Sequence, residues 1–243
     1  MSSRIYVGTA GWSIPSAHQH RLPAGDSHLA RYAQVLPAVE INSTFYRSHQ
    51  TATFAKWATS VPRTFRFSVK VPRQITHDQH LAASAPLLDA FLTEIAPLGQ
   101  RLACVLVQLP PSLAFEARVA RSFLKALRKR FDRGVAVEPR HASWFGESAN
   151  LALNDFKVAR VAADPPRVEG GAEPGGWPGL AYFRLHGSPR AYYSPYDDHY
   201  LDSLEGKLRA LRRRRIPTWC IFDNTASGAA AGNALSVVDR LGR

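Results

Sequence analysis

Leu102-Ala103-Cys104-Val105-Leu106-Val107-Gln108 is an almost unbroken apolar run that ends on one polar residue and is stopped by Pro110-Pro111. A strand covered on both faces reads this way, because neither face meets water. The same pattern recurs at residues 4–8, 38–42 and 65–70 upstream, and at 134–138, 157–164, 180–186 and 218–223 downstream. Each run ends in a polar residue and a loop. Helix-like segments separate most of them, at 28–35, 51–60, about 82–95, 116–131, around 151–156, 201–214 and after Gly228. Eight strand-plus-helix units predict an α/β chain folded as one domain over 1–243, a (β/α)8 barrel of TIM type, close to the ~250 residues typical of it. One unit is irregular. Residues 165–179 hold four prolines and five glycines, so a long loop replaces most of the sixth helix, either as a lid or as a plain mobile connection.

Bulk properties narrow the class. A hydrophobic fraction of 45% is ordinary for a globular protein. No stretch approaches the ~20 apolar residues that span a bilayer, so no membrane partner is expected. Met1-Ser2-Ser3-Arg4 runs at once into a strand, which leaves no room for a signal peptide. Cys104 and Cys220 sit inside apolar runs and read as buried free thiols, consistent with a cytoplasmic protein. The net charge of +12 is concentrated in two segments, 118–133 and 207–215, where thirteen basic residues stand against the single acid Asp132. Both crowd the C-terminal ends of predicted helices, where cations offset the helix dipole. Solvated helix ends are the favoured reading, and a nucleic-acid surface is the other.

In a barrel of this kind active sites lie at the C-terminal ends of the strands. Strand side chains alternate, so Glu40 and Asn42, Ser68 and Lys70, Ala136 and Glu138, Ala162 and Asp164, and Arg184 and His186 each share a face. Turned inward, they make a polar layer over small side chains, and such a layer is expensive to bury unless paired. Several readings of it stand side by side. Glu40 and Glu138 are a candidate acid/base pair. Glu40, Glu138, Asp164 and His186 are a candidate oxygen-and-imidazole set for a divalent metal. Lys70 is placed to hold an anion or form a Schiff base. Alternatively the whole cluster is a structural ion network.

Asn224-Thr225-Ala226-Ser227-Gly228 leads into a helix. That end is either a phosphate site, with Arg190 and the tyrosines after strand seven closing over it, or a helix start capped by Thr225 or Ser227. Trp12, Tyr46 and Trp144 also follow strands, where they stack on a ligand or pack the rim. No dinucleotide fingerprint is present, so no nucleotide cofactor is implied, and the cofactor is left open between none and a divalent metal.

Gly8-Thr9-Ala10-Gly11-Trp12, Val39-Glu40-Ile41-Asn42-Ser43-Thr44-Phe45-Tyr46, Phe67-Ser68-Val69-Lys70, Thr76-His77, Val107-Gln108-Leu109-Pro110-Pro111, Val137-Glu138-Pro139-Arg140-His141, Ser143-Trp144-Phe145, Arg184-Leu185-His186-Gly187 and Asn233-Ala234 together resemble the domain of unknown function 72 family, the YecE-like proteins. The motifs run in order over essentially the whole chain. The resemblance implies a TIM-type barrel and supplies no reaction. It carries over Trp12, Glu40, Asn42, Thr44, Tyr46, Lys70, Thr76, His77, Gln108, Glu138, Arg140, Trp144, Arg184 and His186 as motif residues. Two departures stand out: Arg21-Leu22-Pro23 where the family has Phe-Tyr-Pro, and Phe222-Asp223-Asn224 where it has Phe-Asn-Asn, which favours Asn224 over Asp223 as a site residue.

The expected function is an enzyme of hydrolase or isomerase type acting on an anionic, phosphorylated or sugar-like small molecule. Glu40, Lys70, Glu138 and His186 would be catalytic. Trp12, Asn42, Thr44, Tyr46, His77, Gln108, Arg140, Trp144, Asp164, Arg184 and Asn224 would bind substrate. The alternatives are a nucleic-acid-binding or -processing protein using the basic surface, and a non-catalytic scaffold.

Overall fold

The computed structural model of the protein describes residues 4–242; residues 1–3, on which part of the signal-peptide expectation rests, lie outside them. The strands are β1 (Ile5–Thr9), β2 (Ala38–Ile41), β3 (Arg66–Lys70), β4 (Leu102–Gln108), β5 (Gly134–Glu138), β6 (Ala159–Arg160), β7 (Ala162–Asp164), β8 (Gly175–Gly176), β9 (Ala181–Leu185) and β10 (Thr218–Phe222). The helices are α1 (His28–Val35), α2 (Thr51–Thr59), α3 (Ala85–Ile95), α4 (Ala117–Arg130), α5 (Glu147–Asp155), α6 (Asp198–Arg213) and α7 (Ala229–Arg240).

The result is a mixed α/β fold with two sheets, ordered β1-β10-β9-β7 and β2-β3-β4-β5-β6-β8. Every pairing between these strands is parallel except β6 with β8. Their edges meet twice. Residues 157–164, expected as one strand, divide at Val161: β6 pairs with β5 in one sheet, while β7 pairs with β9 in the other. At the other edge Ala10 bridges to Glu40, and the Gly11 amide donates to the Glu40 carbonyl at 2.8 Å. Gly8 is required here, because a Cβ on it would stand 2.0 Å from the Ala38 carbonyl oxygen.

Local chemistry explains the helices. The Glu116 carboxylate accepts from the Arg118 and Val119 amides and starts α4, whose Ala120, Phe123, Leu124 and Leu127 form the buried stripe. Asp197 caps α6 at Tyr200, and Leu201, Leu204 and Leu208 face inward. Basic residues finish both helices, against the carbonyl ends.

Strand alternation divides the core in two. Val105 and Val107 belong to a large cluster between strands and helices, whereas Cys104 and Leu106 belong to a smaller one with Ala38, Ala136, Ala159, Tyr182, Trp219 and Ile221. The second cluster is the floor of the site. Residues 165–179 carry no helix; they form turns and β8, with the Gly176 amide donating to Asn150 Oδ1 at 2.9 Å and the Trp177 amide to the Val158 carbonyl at 2.9 Å. Among the described residues no helix is long and apolar enough to cross a membrane. Cys104 and Cys220 are free and buried.

Candidate functional site

Two residues beyond each of four floor residues, at the C-terminal strand ends, stands a charged one: Glu40 past Ala38, Glu138 past Ala136, Arg184 past Tyr182 and Asp223 past Ile221. Arg184 is the hub. Its Nη2 reaches Glu40 Oε1 at 2.7 Å and its Nε reaches Glu40 Oε2 at 3.1 Å, a forked pairing. Its Nη1 donates to Glu138 Oε2 at 2.7 Å, and Nη2 also approaches Asp223 Oδ2 at 2.9 Å. His186 sits between two carboxylates, Nε2 at 3.0 Å from Glu138 Oε1 and Nδ1 at 3.1 Å from Asp223 Oδ2. Arg140 Nη2 lies 3.5 Å from Glu138 Oε1. Beneath, the Tyr182 hydroxyl lies 2.8 Å from Glu40 Oε2 and 2.9 Å from Ser68 Oγ.

Burial penalises every charge here, and the pairing decides the outcome. Burial pushes the Glu138 carboxyl up, but Arg184 and His186 hold it well below the usual carboxylate range. Asp223 is likewise lowered, by Arg184 and by its bond to His186, against the upward push of burial. For His186 burial acts downward, yet Glu138 and Asp223 raise it above its ordinary value. With both ring nitrogens facing carboxylates, the imidazolium is the form that satisfies them. Arg184, Arg140 and His186 then balance Glu40, Glu138 and Asp223.

Lys70 is left over. It is 4% exposed, and its Nζ lies 3.9 Å from the Phe45 ring centroid with no hydrogen bond or ion pair to another described residue. Burial and then the Arg184 charge lower it to about 8, against the pull of the three carboxylates. Next to it His77 is lowered by burial and by Lys70, Arg73 and Arg140; its Nδ1 lies 2.8 Å from Thr76 Oγ1.

Above this layer opens a cavity of about 560 Å³ lined by Asn42, Phe45, Tyr46, Lys70, Arg73, His77, Gln108, Arg140, Arg184, Tyr192, Asp223 and Thr225. Its lining holds four basic side chains and one acid. Two buried polar atoms in that lining, Asn42 Oδ1 and Arg140 Nε, have no hydrogen-bond partner. Buried polar atoms are rarely left unmatched, so these two carry unmet hydrogen-bonding capacity beside the cavity.

The expected site residues divide accordingly. Asn42, Tyr46, Lys70, His77, Gln108, Arg140 and Arg184 line the cavity. Glu40, Glu138 and His186 lie in the ion network and do not line it. Glu40 is fully buried, its carboxylate shared between Arg184 and Tyr182, so an acid/base role at the cavity does not fit its position. Asp164 is diverted: its Oδ1 accepts from the Tyr196 hydroxyl at 2.9 Å, away from Glu40 and Glu138. The four-residue metal set is thus not assembled, and among the described residues no group of three His, Cys, Asp or Glu is placed to hold a metal ion.

Trp12 packs edge-on against Trp57, and Trp144 is buried with its Nε1 donating to the Leu113 carbonyl at 3.0 Å. The Thr44 hydroxyl donates to the Lys70 carbonyl at 2.6 Å, holding the strand end rather than facing the cavity. Asn224 does not face it either. Its Nδ2 donates to the Ser194 carbonyl and Asn233 Oδ1, while Asp223 takes the inward position. Neither Thr225 nor Ser227 caps α7; Gly228, at φ 81°, is the residue before it. The first turn of that helix is covered, since Cβ atoms on Gly228 and Gly232 would meet Pro15 and His18. Phe45 and Arg73, in short helical turns after β2 and β3, were not foreseen, and Asp223 was undervalued although strand parity with Trp219 and Ile221 points it inward.

Much of the basic surface is engaged locally. Arg128 donates to the Phe156 and Lys157 carbonyls, Arg133 to those of Gly99 and Leu102, and Arg121, Arg130 and Lys207 pair with Asp155, Asp89 and Glu173. A second cavity, of about 380 Å³, is lined by Tyr6, Trp177, Trp219 and Arg133 at the N-terminal ends of the strands, away from the ion network.

A family model described as "Protein of unknown function DUF72" matches residues 6–243. The UPF0759 protein YunF of Bacillus subtilis is 23% identical over 266 residues, covering 98% of this chain and 94% of that protein. The UPF0759 protein YecE of Escherichia coli K12 is 31% identical over 166 residues, covering 66% of this chain and 59% of that protein. Among solved structures, a DUF72 family protein of Enterococcus faecalis superposes with a TM-score of 0.81 at 24% identity over 99% of this chain and 96% of that one. A DUF72 family protein of Thermotoga maritima superposes with a TM-score of 0.78 at 28% identity over 98% and 99%.

Proposed function

The chain belongs to the DUF72 family, whose description assigns no reaction, and on that premise we propose that it is an enzyme acting on an anionic, phosphorylated or sugar-like small molecule bound in the strand-end cavity. The observation that carries this reading is the unpaired, buried Lys70 in a cavity otherwise lined by Arg73, Arg140 and Arg184. Arg184 is spent on the network carboxylates; what favours an anionic guest is Arg73 at the cavity wall, Arg140 with its Nε unmatched, and a lysine that a purely structural network would have paired. The carboxylates Glu40, Glu138 and Asp223 fix Arg184 and His186 in place. Lys70 takes the reacting role, with His77 beside it as a proton carrier.

The two sheets, in the same proposal, form one (β/α)8 barrel of TIM type. The split strand β6–β7 serves both sheets at one edge, and the Ala10–Glu40 bridge joins them at the other. An active site at the C-terminal strand ends agrees with that architecture.

Calorimetric titration with 2-phosphoglycolate and with inorganic phosphate tests the reading. Saturable binding is expected, weakening with salt and reduced at least tenfold in Arg140→Gln. Binding that is absent, or equal in the variant, would remove the cavity as the anion site.

A further inference from the structure

We propose that Lys70 forms a Schiff base with a carbonyl carbon of the bound anion, so that the substrate class is an anionic aldehyde or ketone. This deepens the proposed function and rests on its anion-binding cavity. Three placements support it. Lys70 is the only one of the chain's six lysines that is not exposed; Lys56, Lys125, Lys129, Lys157 and Lys207 all face solvent. Its amine lies over an aromatic face with no hydrogen bond or ion pair to a carboxylate, so no such bond has to break before it reacts. And Arg73, which is exposed, and Arg140, whose Nε has no partner, line the same cavity, where they hold a carboxylate or phosphate while its neighbouring carbonyl faces the amine.

The network explains why the amine can be free. Its three cations already balance its three carboxylates, so a proton on Lys70 would be surplus charge in a buried place. A guest anion supplies the missing counter-charge, which lets a cationic iminium form where an ammonium ion was disfavoured. The step balances. The Lys70 nitrogen adds to the carbonyl carbon as the carbonyl π bond opens to oxygen, giving a carbinolamine. A proton drawn from solvent and relayed through His77 then protonates the departing hydroxyl. Loss of water leaves the protonated imine, and the net change is amine plus carbonyl plus one proton giving iminium plus water. The iminium then draws electrons from the adjacent carbon, which serves isomerisation, decarboxylation or carbon–carbon cleavage alike. A general base at the same place would need only a nearby C–H and would leave no covalent trace, so the two roles separate experimentally.

The test uses the full-length protein at pH 7.5 with glyoxylate and, separately, glycolaldehyde phosphate, each followed by borohydride reduction and peptide mass mapping. With Lys70 near 8 against 10.5 for an ordinary lysine, its neutral fraction is on the order of 100-fold larger. The expected result is a single secondary-amine adduct on Lys70, at least tenfold above each surface lysine, slowed by prior addition of 2-phosphoglycolate. Modification spread over Lys56, Lys125, Lys129, Lys157 and Lys207 with Lys70 spared, while 2-phosphoglycolate still binds, would overturn the Schiff base and leave the anion cavity standing. Failure of both trapping and 2-phosphoglycolate binding would overturn the cavity reading and this inference with it.

Discussion

Replacing Lys70 by methionine should make the protein more stable. Methionine keeps a long unbranched side chain against Phe45 and removes the ammonium group. In the folded protein burial and Arg184 hold Lys70 near 8, whereas the unfolded chain has the ordinary 10.5. Between those values the unfolded state binds the extra proton, so stability rises with pH across that window, and the folded state is at its greatest disadvantage below about pH 8. The gap corresponds to roughly 3 kcal/mol. For a chain of 243 residues that is a rise in melting temperature of roughly 6–12 °C at pH 7. Urea unfolding of both proteins from pH 6 to 10 provides the assay. The advantage of Lys70→Met should be constant below pH 8 and shrink above it, while borohydride trapping is abolished. A methionine variant equal to or less stable than the parent at pH 7 would refute the reasoning, for it would make Lys70 a structural cation that the carboxylates need. Stability gained by deleting a reactive group is the expected sign of a site held in a strained electrostatic state.

Three further outcomes are expected. Arg184→Leu strands three buried carboxylates and should cost at least about 3–5 kcal/mol in urea unfolding, with Arg184→Lys recovering little because an ammonium cannot reproduce the fork to Glu40. The pH profile has two limbs: Glu138 and Asp223 are lowered, so their contribution is full above about pH 4.5 and is lost as acid titrates them below it; His186 is raised, so its contribution is full below pH 6.5 and is lost as pH rises through its elevated value. Nuclear magnetic resonance titration of the imidazoles should therefore find His186 titrating above the ordinary 6.5, and titration at or below 6.5 would contradict the double carboxylate clamp. Trp144→Phe should lose only the bond to the Leu113 carbonyl, about 1 kcal/mol, and leave 2-phosphoglycolate affinity unchanged.

What the sequence disclosed and what it hid have physical reasons. Strand parity is a local rule, so it placed Glu40, Lys70, Glu138, Arg184 and His186 on matching faces at the C-terminal strand ends without any knowledge of contacts. The same rule separates Asp223 from Asn224: neighbours on or beyond a strand point to opposite sides, and Asp223 continues the Trp219–Ile221 face while Asn224 turns to Ser194 and Asn233. Parity could not say that the Glu40 carboxylate is sealed under Arg184, because that depends on a partner 144 residues away. Phe45 and Arg73 reach the cavity from single helical turns after β2 and β3, too short to show a period. Asp164 shared the expected parity yet was diverted by Tyr196, a residue of the long loop after β9. The strand at 157–164 looked continuous because its composition is uniform; its division at Val161 comes from pairing with two different neighbours.

The most direct test is a resonance titration of isotopically labelled lysine side chains, with Lys70 assigned by its disappearance in Lys70→Met. Lys70 is predicted to lose its proton near pH 8, apart from the other five lysines, and to shift upward when 2-phosphoglycolate is added. A Lys70 amine that titrates with the others near 10.5 and ignores the anion would contradict an unpaired amine that gives up its proton early in an anion-binding cavity.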